Sequence, residues 1–181
     1  MYFKKMTGEK CYLSPMDVND AEKFTEWLND LEVTSNLDIY NSVINVETEK
    51  EFLYKLSKEH NYSIVDKGTN ELIGTCGFMG VDHLNQSAET GIFIGNKNYW
   101  NKGYGTESLQ LLLDYGFKAL NLRNVMLRVY SFNERAMNIY CKIGFKVIGK
   151  RRQAIIRGNK TYDIIYMDLL HEDFCEKMKS R

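Results

Sequence analysis

Residues Ala88–Phe117 read AETGIFIGNKNYWNKGYGTESLQLLLDYGF, and the interpretation of the whole chain depends on this stretch. Its first part, Gly91–Ile94, is apolar and β-branched, as buried strands are, and it stops at a glycine. Its last part has apolar residues three and four positions apart, which is the period of a helix, at Leu109, Leu112, Leu113, Gly116 and Phe117. The stretch therefore predicts a strand, a glycine-containing loop and a helix.

The loop between the predicted strand and helix carries Lys102, Gly103, Tyr104 and Gly105. The first turn of a helix leaves backbone N–H groups without intrahelical partners, and the helix dipole adds partial positive charge there. Glycines allow the backbone to turn tightly and to come close to a ligand. These features predict a site for a phosphate or a pyrophosphate. The alternative is a turn in which the glycines serve only the backbone geometry.

Two common nucleotide-binding fingerprints do not fit this loop. A P-loop ends in Gly-Lys-Ser/Thr, whereas Lys102 precedes the glycine here. The dinucleotide fingerprint needs a third glycine, and Ser108 occupies that position. The loop therefore belongs to neither of these two classes of nucleotide-binding site.

The loop resembles that of the GNAT acetyltransferase superfamily, whose pyrophosphate-binding sequence reads Gln/Arg-x-x-Gly-x-Gly/Ala after a bulged central strand. The matching residues are Trp100–Gly105. Trp100 departs from the pattern at its first position. Aromatic residues are common there in the subgroup that resembles ribosomal-protein alanine N-acetyltransferases and spermidine N-acetyltransferases, so the departure indicates a subgroup.

A second motif downstream strengthens this resemblance. Residues Asn133–Phe145 (NERAMNIYCKIGF) match the superfamily signature Asn-x-x-Ala-x-x-x-Tyr-x-Lys-x-Gly-Phe at every named position. The tail sequence Gly158–Asp163 also resembles the alanine N-acetyltransferase group. The resemblance extends over roughly residues 10–169.

Composition limits the remaining classes. The chain has 181 residues, of which 44% are apolar, and we expect one domain over residues 1–181. Lys plus Arg and Asp plus Glu both number 24, so overall charge does not favour nucleic acid or a membrane as a partner. The N-terminus lacks the apolar core of a signal peptide, which predicts a cytoplasmic location. Four cysteines and three histidines are scattered, so we expect neither a metal site nor a disulfide framework.

The elements predict an α/β (α+β) fold with a mixed, mostly antiparallel sheet of about seven strands and about four helices. The GNAT resemblance implies the same fold, with a central parallel pair splayed for CoA. Near the N-terminus we predict one helix with Ala21, Phe24, Trp27, Leu28 and Leu31 inward. A second helix is predicted to be capped by Thr48, with Phe52, Leu53 and Leu56 inward. The last predicted elements are two strands, over residues 146–152 and 160–169.

The resemblance implies transfer of an acetyl group from acetyl-CoA to a primary amine. Tyr140 matches the family tyrosine that lies beside the cofactor sulfur, where its hydroxyl can give a proton to the leaving thiolate. Glu89, near the start of the central strand, is the candidate base or the residue that orients a proton-carrying water chain. The alternatives are an aromatic core residue for Tyr140, and a solvent-facing or substrate-attracting carboxylate for Glu89.

The resemblance also implies which residues contact the cofactor. Phe93, Ile94 and Gly95 would bind the pantetheine arm through the strand. The residues expected at the pyrophosphate are Trp100, Asn101, Lys102, Gly103, Tyr104, Gly105 and Thr106. Asn133 would hydrogen-bond the pantetheine, or serve as a helix N-cap, and Lys142 would approach the adenosine or phosphate end, or lie solvated. Cys141 has no apparent activating partners, so we interpret it as a buried helix residue and not as a nucleophile.

The identity of the acceptor stays open at this stage. A protein N-terminus, a polyamine, an aminoglycoside or an amino acid would each fit. Glu26, Asp30, Glu32 and Asp38 would either attract a cation or belong to solvated helix and loop faces. Homodimers are common in the superfamily, so a dimer is one option. The rival interpretation is a non-catalytic acyl-CoA-binding or regulatory module with the same fold.

Overall fold

The computed structural model describes residues 1–179, whose strands form one eight-stranded sheet. The strands are β1 (Met6–Thr7), β2 (Cys11–Pro15), β3 (Asn61–Asp66), β4 (Leu72–Asp82), β5 (Ser87–Ile94), β6 (Asn124–Tyr130), β7 (Lys146–Arg157) and β8 (Lys160–Leu170). The helices are α1 (Ala21–Leu28), α2 (Leu31–Thr34), α3 (Val46–Leu56), α4 (Tyr104–Lys118), α5 (Glu134–Ile143) and α6 (His171–Lys179). Two single 3₁₀ turns, Val18–Asp20 and Lys97–Tyr99, precede α1 and α4.

The strand order is β1-β2-β3-β4-β5-β6-β8-β7, and β5 and β6 form a parallel pair in a mostly antiparallel sheet. The register of that pair runs from Ser87↔Asn124 to Glu89↔Met126, while β5 itself continues to Ile94. The predicted fold class is therefore confirmed, and so is the predicted strand–loop–helix of residues 88–117. The structure adds the helices α2 and α6, and its first strand is only two residues long.

The described residues cluster into two compact units. The first contains Met1–Met79 and Gly91–Tyr115, and the second contains Gly80–Thr90 and the chain from Gly116 onward. Because β4, β5 and α4 each contribute to both units, neither unit is a separate stretch of sequence. The single domain over residues 1–181 stays a prediction.

The core of the first unit lies under α1 and α3 and corrects two sequence predictions. Leu31, expected on the inner face of the first helix, is 62% exposed because α1 ends at Leu28. Phe52, expected inward, is 51% exposed, and Glu49 is buried in its place. The core residues are Met16, Ala21, Phe24, Trp27, Leu28, Val33, Leu53 and Leu72.

The capping residue of α3 also differs from the prediction. The Asn45 side chain accepts a hydrogen bond from the Thr48 backbone N–H, so α3 begins at Val46. Both Asn and Thr are good N-cap residues, and the sequence around them offers both.

The core of the second unit is formed by β6, β8 and the helices packed on them. Alternate residues of β6 are buried, and Val125 and Leu127 lie opposite Leu169 and Met167 on β8. All four are at most 1% exposed. Helix α6, which sequence patterns did not reveal, packs Phe174 against Phe117 of α4 with ring centroids 5.2 Å apart. Only one α6 residue is buried, so its apolar period is too weak to be recognised from sequence.

Among residues 1–179, no helix has both the length and the apolar character that crossing a membrane requires.

Candidate active site

The end of β5 is held closely in the first unit. A Cβ on Gly95 would lie 2.2 Å from the indole carbons of Trp27, so only glycine fits there. The Gly95 N–H donates to the Ile73 carbonyl at 3.0 Å. The Phe93 ring meets the Trp27 ring edge-on at 6.1 Å. The last residues of β5 therefore have fixed positions against β4 and α1.

Trp100, the residue that departs from the family pattern, folds back onto β5. Its Nε1–H donates to the Ile94 carbonyl at 2.8 Å. This bond spans the 3₁₀ turn Lys97–Tyr99 and ties its two ends together. Trp100 and Ile94, both predicted to contact the cofactor, are thus brought into contact with each other.

The backbone of the predicted phosphate loop contains two left-handed residues. Asn101 has φ +58° and Gly103 has φ +88°, and α4 begins directly afterwards at Tyr104. Left-handed residues just before a helix turn the chain sharply, and the N–H groups of the helix's first turn then have no intrahelical partners. Tyr104, Gly105 and Thr106, three of the residues predicted at the pyrophosphate, form that first turn.

A lysine that the sequence patterns did not single out reaches this loop. Lys10, in the turn between β1 and β2, donates from Nζ to the Lys102 carbonyl at 2.8 Å. The same Nζ is 3.5 Å from the position that a Cβ of Gly103 would occupy. The loop therefore has two nearby ammonium groups, those of Lys10 and Lys102, on adjacent parts of the first unit.

Glu89 lies in the second unit and has an ion-pair partner. The Arg128 Nε–H donates to Glu89 Oε1 at 2.7 Å, and the two side chains are 27% and 43% exposed for Glu89 and Arg128 respectively. Arg128 is on β6, two positions beyond Met126, which pairs with Glu89. The parallel register of β5 and β6 therefore places the guanidinium beside the carboxylate, and it fixes the orientation of that carboxylate.

Tyr140 is buried on α5 in the second unit. It is 8% exposed, and its ring meets the ring of Phe145 at 5.8 Å. Burial raises the pKa of its hydroxyl to about 12. Within residues 1–179, the hydroxyl has no hydrogen-bond partner, although buried tyrosine hydroxyls usually have one. A buried donor of this kind is suited to a ligand acceptor.

The remaining predicted residues lie on or beside α5. The Asn133 side chain accepts from the Ala136 N–H at 3.1 Å and caps the helix, which confirms its predicted role as an N-cap. Lys142 is exposed near the helix end. Cys141 is exposed too, which corrects the expectation that it is buried: it lies on the outer side of α5, next to the inward-facing Tyr140. No group of three or more potential metal ligands occurs among residues 1–179.

Four residues of these arrangements escaped the sequence-based predictions: Lys10, Asp66, Glu71 and Arg128. Asp66 accepts a hydrogen bond from the Tyr104 hydroxyl at 2.6 Å, and Glu71 accepts one from the Tyr99 hydroxyl at 2.9 Å. None of the four belongs to a local motif. Asp66 and Glu71 lie at the two ends of the turn between β3 and β4.

Comparisons with known proteins identify the family. The acetyltransferase (GNAT) domain family matches residues 10–146. An uncharacterised N-acetyltransferase, p20 of Bacillus licheniformis, is 31% identical over 92% of this chain and 96% of its own length. The spermidine N(1)-acetyltransferase of Escherichia coli K12 is 27% identical over 79% of this chain and 70% of its own.

One solved structure shows the same fold. The spermidine N-acetyltransferase of Vibrio cholerae, solved in complex with CoA and spermine, superposes with a TM-score of 0.82 at 21% identity, over 93% of this chain and 99% of its own. The family match covers most of the chain, and its residues include the predicted phosphate loop and the helix that carries Tyr140. The chain therefore belongs to the GNAT acetyltransferase family.

Proposed function

We propose that this protein transfers the acetyl group of acetyl-CoA to a primary amine of a small cationic acceptor, by direct attack in a ternary complex. The observation that carries the proposal is the loop before α4, where Asn101 and Gly103 adopt left-handed conformations that lead into the first turn of the helix. The N–H groups of that turn, with Lys102, suit the pyrophosphate of acetyl-CoA. Lys10 adds a second positive charge.

The pantetheine arm is expected to lie along the end of β5. The register of β5 with β6 stops at Glu89, whereas β5 continues to Ile94, so the later residues offer strand-edge N–H and C=O groups. An extended ligand segment can pair with such an edge. The Gly95 N–H already donates to Ile73 and the Ile94 carbonyl accepts from Trp100, so the Ile94 N–H is the stronger candidate for such a hydrogen bond.

The acceptor amine must lose a proton before it can attack. A primary alkylammonium has a pKa of about 10.4, so most of it is protonated near neutral pH. Glu89 is the residue that we expect to take or relay this proton. Its carboxylate is oriented by Arg128, which supports a defined role in the second unit over that of a freely rotating surface acid.

Tyr140 is proposed to serve the leaving thiolate. A thiol titrates near 8.5 and the Tyr140 hydroxyl near 12, so complete proton transfer from tyrosine to thiolate is uphill by about 5 kcal/mol. Tyr140 therefore stabilises the thiolate mainly by donating a hydrogen bond in the transition state. Starting from the ammonium, the amine loses two protons. The one lost before attack passes by way of Glu89 to solvent, and the one lost from the tetrahedral intermediate ends on the thiol of CoA, so the proton count balances.

The acceptor class follows from the charges around α1–α3. Residues 17–59 contain 11 acidic and 4 basic residues. Two of the acids, Asp30 and Glu32, both pair with Lys97 at 2.6 Å, while Glu26 is exposed. Glu49 is buried, but the other acids still outnumber the basic residues of this segment, and such an excess of carboxylates attracts cations. It favours a polyamine over an uncharged amine or an acidic peptide.

The test is release of free thiol from acetyl-CoA with a panel of acceptors. The panel holds spermidine, an aminoglycoside, benzylamine, and peptides with N-terminal alanine, serine or methionine. We expect kcat/KM for spermidine to exceed that for benzylamine by at least about 10-fold, because the second and third charges add attraction. Turnover of peptides alone would reject the cationic acceptor. Thermal stabilisation by CoA without any turnover would favour a non-catalytic binding module.

A further inference from the structure

We infer that Asp66 and Glu71 position the loop before α4, so that its phosphate-binding backbone is ordered before acetyl-CoA arrives. These two carboxylates stand at the ends of the turn between β3 and β4, at residues 67–70. The inference rests on the proposed function, because it concerns the same pyrophosphate site. Neither residue needs to touch the ligand: both are positioning residues.

Asp66 connects this turn to the first residue of α4. Its Oδ2 accepts from the backbone N–H groups of Gly68 and Thr69, at 3.1 and 2.7 Å, and from the Thr69 hydroxyl at 2.8 Å. Its Oδ1 accepts from the Tyr104 hydroxyl at 2.6 Å. Three bonds hold the carboxylate rigidly within its own turn, so the fourth holds Tyr104 in one place.

Glu71 connects the other end of the turn to the segment before the loop. Its Oε1 accepts from Lys23 Nζ at 3.0 Å and Asn96 Nδ2 at 2.9 Å, and its Oε2 accepts from the Tyr99 hydroxyl at 2.9 Å. Asn96 in turn caps the 3₁₀ turn that leads to the loop, by accepting from the Asn98 N–H at 3.0 Å. Glu71 thus fixes both ends of that 3₁₀ turn.

The two connections are joined to each other. The rings of Tyr99 and Tyr104 pack edge-to-face at 5.0 Å, and the Thr69 and Tyr99 hydroxyls are 3.3 Å apart. On another side of the loop, Glu107 Oε1 accepts from the Lys10 N–H at 2.8 Å. The loop residues 100–103 therefore lie between Tyr99 and Tyr104, both of which are held by hydrogen bonds to carboxylates.

Electrostatics supports a positioning role for these acids. Carboxylates near an anion site repel the ligand, so they would be a disadvantage there without a compensating role. Burial alone would raise the pKa of Asp66, but hydrogen bonds from Tyr104, Thr69 and Gly68 lower it below its ordinary value. The ammonium of Lys23 likewise helps to lower the pKa of Glu71. Both acids are charged near neutral pH, and each carboxylate accepts hydrogen bonds from several donors.

Ordering the loop in advance lowers the cost of binding. A backbone residue that becomes fixed only on binding loses conformational entropy, and a pre-ordered loop avoids that loss. The benefit should appear only for ligands that carry the pyrophosphate. A ligand that lacks it gains nothing from an ordered loop.

The experiment compares acetyl-CoA with S-acetylpantetheine, which has the same thioester but no pyrophosphate, in the variants Tyr104→Phe and Tyr99→Phe. Each variant keeps its ring and loses only the hydroxyl that a carboxylate accepts. We expect kcat/KM for acetyl-CoA to fall ~5–30-fold through KM, because a charge-assisted hydrogen bond is lost, with kcat kept within about 2-fold. The value for S-acetylpantetheine should change by less than about 2-fold.

Tyr115→Phe is the matched control. It makes the same change on the same helix, where the ring packs against Tyr62 at 6.0 Å and is remote in sequence from the loop. It should leave the ratio of the two kcat/KM values at the wild-type level. Ligand-free melting temperatures of all variants are measured in parallel.

The outcomes separate this inference from the proposed function. If the wild type uses both thioesters equally well, the prediction of the pyrophosphate site is wrong, and the inference is rejected with it. If the wild type strongly prefers acetyl-CoA and both variants keep that preference, only the positioning role is rejected. Equal losses on both thioesters would also reject it, since they would mean that the hydroxyls serve general stability.

Discussion

Tyr140 shows how burial changes what a residue can do. Its hydroxyl is held protonated by burial, with a pKa of about 12, and within residues 1–179 it has no partner. A group in this state donates a hydrogen bond over the whole physiological pH range. Sequence motifs indicated the residue, and the structure supplies the physical reason why it suits a thiolate.

Tyr140→Phe should lower kcat by ~10–100-fold and change acetyl-CoA affinity by less than about 3-fold, because the hydroxyl acts in the transition state and not in binding. Steady-state kinetics and calorimetric titration measure the two quantities. Tyr162→Phe, which alters a ring packed on Phe132 in the same unit, is the control. An unchanged kcat in Tyr140→Phe would remove the proposed role.

Glu89 is the residue whose surroundings were least predictable. If it manages the amine proton, Glu89→Gln should lower kcat/KM at neutral pH by ~10-fold or more and move the rate profile toward higher pH, where free amine is more abundant. The exposed Glu172 on α6 provides the control Glu172→Gln. A profile that keeps its position would leave Glu89 with an orienting or substrate-attracting role.

Glu49 is a buried carboxyl on α3 with a measurable consequence for stability. It is 3% exposed, and burial raises its pKa from 4.5 to about 7. The folded state therefore holds this proton more tightly than the unfolded state does. Its contribution to stability is complete below pH 4.5 and is lost as the pH rises through 7.

Glu49→Gln should therefore stabilise the protein by ~1–3 kcal/mol at pH 8 and by much less at pH 5, since glutamine resembles the protonated acid. Urea unfolding at the two pH values measures the difference. The control is Glu51→Gln, because Glu51 is exposed on the same helix. Equal effects at both pH values would show that Glu49 does not titrate in this range.

At the scale of elements, we expect CoA binding by the loop before α4 to depend on the conformation of the loop's backbone. Gly103 has φ +88°, a region that a β-branched residue adopts only with strain. Gly103→Val should weaken CoA binding by ~100-fold or more, because the N–H groups of the following turn lose their orientation. Calorimetric titration with CoA gives the affinity.

The control for this change is Gly149→Val on β7. A Cβ there meets no atom within 4 Å, and the residue is outside the left-handed region, so the same substitution should cost little affinity. Wild-type affinity in Gly103→Val would mean that the pyrophosphate lies elsewhere. Of the two glycines, only Gly103 has the left-handed conformation.

At the scale of the whole molecule, a zero net charge conceals an uneven distribution. The first unit has 10 basic and 16 acidic residues, and the second has 14 basic and 8 acidic. The total alone favours neither nucleic acid nor a membrane as a partner. Counted unit by unit, the charges favour a cationic acceptor for the first unit.

Salt should therefore affect the acceptors differently. Raising NaCl from 50 to 500 mM should lower kcat/KM for spermidine by ~5-fold or more, because ions screen the attraction between the acids and a polycation. Benzylamine, with one charge, should change by less than about 2-fold. A similar salt dependence for both amines would argue against electrostatic selection of the acceptor.

The family, the fold class and the elements around the loop could all be predicted from the sequence. The strand of residues 91–94, the glycines, the leucine period of α4 and the motif of residues 133–145 are all local patterns. Each depends on residues close together in the chain, and local patterns can be read without coordinates. The weakly amphipathic α6 and the cap of α3 were missed because their local signals were faint or ambiguous.

The surroundings of the candidate functional side chains could not be predicted from the sequence, because they depend on the tertiary structure. Glu89 and its partner Arg128 are 39 residues apart, and Asp66 and Tyr104 are 38 residues apart. Strand register and helix placement bring such pairs together, and no local pattern encodes either one. For this reason the sequence predicts where acetyl-CoA should bind. The contacts around the loop before α4 and around the Glu89 carboxylate are visible only in the folded chain.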